Sequence, residues 1–74
     1  MDNYVTGAAI KTLREKKKMT QNQLAEKLSV SDKTISKWET GRGLPDISLI
    51  EPLSLALDIS VPELLSGQTI TNEN

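Results

Sequence analysis

The sequence predicts an all-α fold, a compact five-helix bundle in which two short helices are joined by a tight turn. Three observations carry that prediction. Apolar residues recur at spacings of three and four through short successive segments, and no alternating strand pattern interrupts them. Thr20, Ser31, Asp46 and Ser60 each stand where a helix would need its first amides capped. Gly41, a natural left-handed terminating residue, and Gly67 each follow a segment that ends. A chain of 74 residues without cysteine has room for one small domain, here residues 1–67 followed by a polar tail over 68–74. Its stability has to come from efficient helix packing, since no disulfide can contribute.

The elements follow in order. From Val5 onward Ala9, Ile10 and Leu13 share one face, and the helix is expected to run to Lys17 or Lys18, lysines suiting its negative end. Thr20 to Gln23 forms a capping box, and Leu24, Ala25 and Leu28 are the apolar face of the second helix. Ser29 and Val30 break the pattern after two turns. Ser31 then caps a third helix with Asp32 in its first turn, closed by Thr40 to Gly43. Leu44-Pro45-Asp46 leads into a fourth helix whose apolar face is Ile47, Ile50, Leu53 and Leu57. Pro52 removes one backbone donor there and predicts a kink or a loosened first turn. Ser60 to Glu63 is a second capping box opening a short fifth helix through Leu65. The tail from Gln68 to Asn74 is polar, without periodicity, and is expected to fray.

Net charge is −1, which on its face disfavours a polyanionic partner. The distribution reverses that impression. Residues 1–42 hold all nine basic side chains and five acids, a balance of +4, whereas residues 43–74 hold five acids and no base. A dipolar molecule of this kind presents a basic half to phosphates and turns the acidic half away.

The most informative unit is the helix, tight turn and helix from Gln21 to Glu39. Two short helices joined by three residues cross steeply, so the second is held out from the body. On its wheel Asp32, Ser36, Thr40, Lys33 and Lys37 fill one arc of about 140°, and Ile35 and Trp38 lie opposite. An ordinary amphipathic surface helix has the same outline. A polar, partly cationic outer face of this kind also fits the major groove of duplex DNA.

The stretch TQNQLAEKLSVSDKTISKWETGR, residues 20–42, closely resembles the phage-repressor (Cro/C1, or XRE) helix-turn-helix family. Gln21 opens the positioning helix, Ala25 sits at the helix crossing, Val30 in the turn, and Ile35 and Trp38 anchor the recognition helix. Leu44-Pro45-Asp46 continues the match, which covers residues 5–66. The resemblance implies a lambda-repressor-like fold, double-stranded DNA as partner and transcriptional regulation as the activity. It makes Asp32, Lys33, Thr34, Ser36 and Lys37 candidate base readers, Lys33 or Lys37 toward guanine and Asp32 toward a cytosine amino group. Asp32 acting only on the helix dipole is the alternative. Thr20, Gln21, Thr40, the Gly41 amide and Arg42 become candidate phosphate contacts, with capping alone the alternative for Gln21. Lys16, Lys17 and Lys18 are expected only to steer at long range.

The family pairs an arginine in the first helix with a glutamate in the recognition helix. Arg14 and Glu39 match that pair, and a partly buried ion pair is expected, with Arg14 also available to be oriented toward a phosphate. Trp38 is read as a core residue. Ser29 stands where the family has a left-handed glycine, a departure costing about 1 kcal/mol. Proteins of this family bind near-palindromic sites as dimers, so a homodimer on DNA is expected.

Other classes fare less well. Ser54 and Asp58 are four apart, but with no histidine or cysteine nothing activates a nucleophile, and no glycine loop cradles a phosphate. No enzyme activity, cofactor or metal is expected. No apolar run is long enough for a membrane span, and a cytoplasmic, nucleoid-associated protein follows. The competing reading is a protein-interaction module of the same fold, such as an antitoxin or anti-repressor partner, with Val61, Leu64 and Leu65 as its pairing surface. The polar ending resembles a linker, consistent with an additional C-terminal domain in a longer parent protein.

Overall fold

The computed structural model describes residues 3–67. The expectation of a frayed tail over 68–74 lies outside the described residues. Five helices follow the predicted order: α1 (Asn3–Lys16), α2 (Gln21–Leu28), α3 (Asp32–Glu39), α4 (Ile47–Leu57) and α5 (Val61–Ser66). Helix α1 ends before Lys17. Lys18 takes the left-handed conformation (φ 57°), and Met19 N–H returns to the Arg14 carbonyl at 3.1 Å, which closes the last turn.

Each N-terminus is capped as its local chemistry dictates. Thr20 Oγ1 accepts from Gln23 N–H at 3.0 Å, and Gln23 Oε1 accepts from Thr20 N–H at 2.8 Å. Ser31 Oγ accepts from Thr34 N–H at 3.2 Å, and Asp46 Oδ2 accepts from Ser48 N–H at 3.2 Å and from its hydroxyl at 2.7 Å. Those bonds hold the Asp46 carboxyl below its ordinary value, the Ser48 hydroxyl being the larger cause. Ser60 and Glu63 form the second reciprocal box. Helix α4 continues through Pro52, which leaves one intrahelical bond unmade without ending the element.

The core gathers Ile10 and Leu13 from α1, Leu24, Ala25 and Leu28 from α2, and Ile35 and Trp38 from α3. Leu53 and Leu57 from α4 and Leu64 from α5 complete it. Two expectations need correction. Ile47 is 88% exposed, because the buried set on α4 begins only at Ile50 and the first turn projects past the core. Leu64 is fully buried, so it forms part of the core and offers nothing to a pairing surface. Thr6, on the stripe of Ile10 and Leu13, is also fully buried, and its hydroxyl has no hydrogen-bond partner among the described residues.

The turn between α2 and α3 depends on Ser29 at φ 58°, ψ 41°. An L-residue is strained there by about 1–2 kcal/mol, and glycine is not, though glycine loses more entropy on folding. Ser29→Gly is therefore expected to stabilise the domain by about 0.5–1 kcal/mol, read as a higher urea midpoint. A lower midpoint would show that the exposed serine side chain contributes more than its backbone costs.

Candidate nucleic-acid interface

Ile35 and Trp38 are buried on the inner face of α3, and this fixes which residues face outward. Asp32, Lys33, Lys37 and Thr40 are exposed, while Thr34 and Ser36 are half-buried. Thr34 is also engaged at the helix start, its hydroxyl 3.0 Å from that of Ser31. Lys33, Ser36, Lys37 and Arg42 line one shallow depression of about 340 Å³, so the residues expected to read bases meet one expected to hold a phosphate.

The end of α3 is organised to bring them together. Gly41 at φ 75° lets Gly41 N–H return to the Trp38 carbonyl at 3.1 Å and Arg42 N–H to that of Lys37 at 3.0 Å. Thr40 Oγ1 donates to the Ser36 carbonyl at 2.8 Å and accepts from Arg42 Nε at 3.0 Å, which seats the guanidinium beside the helix. The Lys37 stem runs over Gly43, where an added Cβ would stand 2.9 Å from Cε. Sequence periodicity does not signal this contact, since Gly43 lies beyond the helix.

Arg14 and Glu39 join α1 to α3. Arg14 Nε donates to Glu39 Oε2 at 2.7 Å and Nη2 to Oε1 at 3.2 Å, with the two side chains 9% and 3% exposed. The hydrogen bond to Glu39 raises the Arg14 pKa further, against the opposing effect of burial. Arg14 Nη1 donates to the Met19 carbonyl at 2.6 Å. The guanidinium is thus turned into the protein and not toward a phosphate.

Gln21 Nε2 donates to Glu39 Oε1 at 3.0 Å, which ties the first residue of α2 to the same carboxylate. Thr20, not Gln21, supplies the cap. The geometry leaves Gln21 half-buried at the start of α2 with one amide hydrogen committed to Glu39. Lys17 approaches Asp58 at 3.8 Å in an exposed pair. Ser54 is buried and donates to the Glu51 carbonyl at 2.8 Å, so it makes no pair with Asp58.

A family model described as helix-turn-helix matches residues 10–64, from the core of α1 to the middle of α5. The chain belongs to the Cro/C1-type helix-turn-helix family. This is a family of DNA-binding transcription regulators. Among its relatives, the helix-turn-helix transcriptional activator BcrR of Enterococcus faecalis is 43% identical over 61 residues, covering 82% of this chain and 30% of BcrR. The immunity repressor protein of Bacillus phage phi105 is 36% identical over 67 residues, 90% of this chain and 46% of the repressor. The chain therefore spans less than half the length of either relative. The crystal structure of the clp gene regulator ClgR from Corynebacterium glutamicum superposes with a TM-score of 0.81 at 31% identity, over 90% of this chain and 71% of that one. The helix-turn-helix of the present chain is α2, the turn at Ser29 to Ser31, and α3. No helix among the described residues is long and apolar enough to cross a membrane.

Proposed function

We propose that this helix-turn-helix domain binds specific duplex DNA as a homodimer, in the cytoplasm, and so regulates transcription. Residues 32–40 enter the major groove, where Asp32, Lys33, Ser36 and Lys37 read base edges, with Thr34 a lesser contributor. Thr20, Gln21, Thr40, the Gly41 amide and Arg42 hold the flanking phosphates. The observation that carries this reading is the shared depression of Lys33, Ser36, Lys37 and Arg42 on the outward face of α3. Three cations around one shallow depression suit a phosphate-lined groove, and a protein core partner would leave them unpaired.

Selection of binding sites from a random duplex pool tests the reading, followed by mobility shifts at low and moderate salt. Lys33→Ala and Lys37→Ala are expected to lose about 1–3 kcal/mol of discrimination at particular base positions. Gln21→Ala should weaken all sequences about equally, once measured below its own unfolding transition. A sequence-dependent loss at Gln21 would contradict its assignment to a phosphate. If no duplex is bound even at low salt, where counterion release favours binding most, the protein-interaction reading of the same fold replaces this one.

A further inference from the structure

Gly43 is not required by its own backbone. Among the described residues Gly41 and Gly67 are the glycines at positive φ, and Gly43 is not one of them, so a side chain there meets no left-handed strain. What distinguishes Gly43 is the space beside it. A Cβ added there would stand 2.9 Å from Lys37 Cε, 3.4 Å from Cδ and 3.5 Å from Cγ. Three successive carbons of the lysine stem therefore lie across the place a side chain would take. The approach follows from how α3 ends. Gly41 turns the chain back and Arg42 N–H returns to the Lys37 carbonyl at 3.0 Å, which brings the next residue alongside the Lys37 side chain.

The contact bears on where the Lys37 charge is delivered. Among the described residues the ammonium makes no hydrogen bond or ion pair, so contacts along the stem are what bias its direction. Lys33 and Arg42 line the same depression, and three like charges repel one another. A lysine is a compact charge on a flexible four-carbon stem, and reading guanine requires that charge at one base edge. Packing the stem against Gly43 restricts its torsions beforehand, so less freedom is lost on binding.

We infer that Gly43 is a positioning residue for base readout: its missing side chain lets the Lys37 stem lie across the loop, which fixes where the ammonium meets a base edge. The inference rests on the groove-binding reading of α3 and deepens it. A residue outside the recognition helix then sets specificity at one base position.

Gly43→Ala is the test. The nearest atom that must yield is Lys37 Cε, far out on a flexible side chain, so the urea midpoint should not fall. Sites are first selected with the unaltered chain from a random duplex pool, and Lys37→Ala identifies the base pair at which that lysine discriminates. On duplexes altered at that pair, Gly43→Ala is expected to lose about fivefold of discrimination, the low end for one base contact. Preferences elsewhere in the site should be kept. Adding Gly43→Ala to Lys37→Ala should cost nothing further, since the stem it displaces is already gone. Equal losses on every duplex would mean that the methyl obstructs the DNA backbone, and unchanged discrimination that Lys37 reaches its base by other rotamers; either result overturns the inference. So does an additive double variant, or a fall in midpoint that Lys37→Ala does not relieve. If Lys37→Ala alters no preference among duplexes the unaltered chain distinguishes, that lysine is not a reader and Gly43 has nothing to position. If the unaltered chain binds no duplex at low salt, the groove-binding reading fails and this inference with it.

Discussion

Glu39→Ala is expected to destabilise the domain by about 3–5 kcal/mol, the usual cost of removing one partner from a buried ion pair. Whole domains of this size are held by roughly 4–11 kcal/mol, so the variant should be largely unfolded at modest temperature or urea. The reason lies in how fully Glu39 is used. Its Oε2 accepts from Arg14 Nε, and its Oε1 accepts from both Arg14 Nη2 and Gln21 Nε2. Removing the carboxylate leaves a guanidinium that is 9% exposed with the Met19 carbonyl and the more distant Glu15 carboxylate, 4.0 Å away, as partners, and it removes the Gln21 bond that ties the start of α2 to α3.

The companion experiment separates the charge from the packing. Arg14→Met with Glu39→Leu removes both ions and keeps most of the volume, and it should recover most of the lost stability, since a hydrophobic replacement of a buried pair is often neutral or better. The coupling term from the double-mutant cycle is the quantity to measure. If Glu39→Ala unfolds within about 1 kcal/mol of the unaltered chain, the pair behaves as a solvent-screened surface bridge. DNA binding gives a second readout. Because Gln21 loses its anchor, the double variant should bind duplex more weakly even though it is folded, and weaken all sequences alike.

What could be read from sequence was local. The capping boxes at Thr20 and Ser60 follow from two side chains at a fixed spacing, and the structure forms both. The left-handed turn at Ser29 is implied by the family resemblance, which has glycine at that position, and φ is 58° there. The inner face of α3 followed from the helical period, which needs no knowledge of neighbours. Failures came where a residue's environment is set by elements far away in the chain. Ile47 fits the period of Ile50, Leu53 and Leu57 yet projects beyond the core, while Leu49 is packed against it instead. Leu64 looked available for a partner because periodicity on a six-residue helix cannot show which side meets α1 and α4. Thr6 lies on an apolar stripe but is polar, so pattern reading passed over a fully buried residue. At the candidate interface the outward residues of α3 were readable, whereas Lys37 over Gly43, Tyr4 over Gly41 and the bond from Gln21 to Glu39 were not. All three join segments by tertiary approach, and no spacing rule encodes them.

Gly7→Ala is the other substitution with a large expected effect, and its sign is the point. At an unencumbered position inside a helix this change stabilises by about 0.5–1 kcal/mol, because alanine orders at lower entropic cost. Gly7 is not unencumbered. A Cβ there would overlap the Trp38 carbonyl oxygen, with the Glu39 carbonyl carbon and oxygen at 3.2 Å. Those atoms are backbone, belong to the last turn of α3, and cannot rotate away as a side chain would. The Trp38 carbonyl is also held by Gly41 N–H, so moving it disturbs the turn that seats Arg42. Relief requires α1 to separate from α3, which loosens the packing around Trp38 and lengthens the bonds from Arg14 to Glu39. Overpacking of a tight contact costs about 1–3 kcal/mol, and a rigid backbone neighbour puts this site at the upper end. A net loss of about 2–2.5 kcal/mol is expected after the propensity gain is subtracted, measured by urea denaturation. Duplex affinity, measured where the variant is still folded, should fall as well, since the displaced segment leads directly into Thr40 to Arg42. A variant more stable than the parent would mean that the two helices slide freely at this crossing, and that the recognition helix is positioned by Ile35 and Trp38 alone.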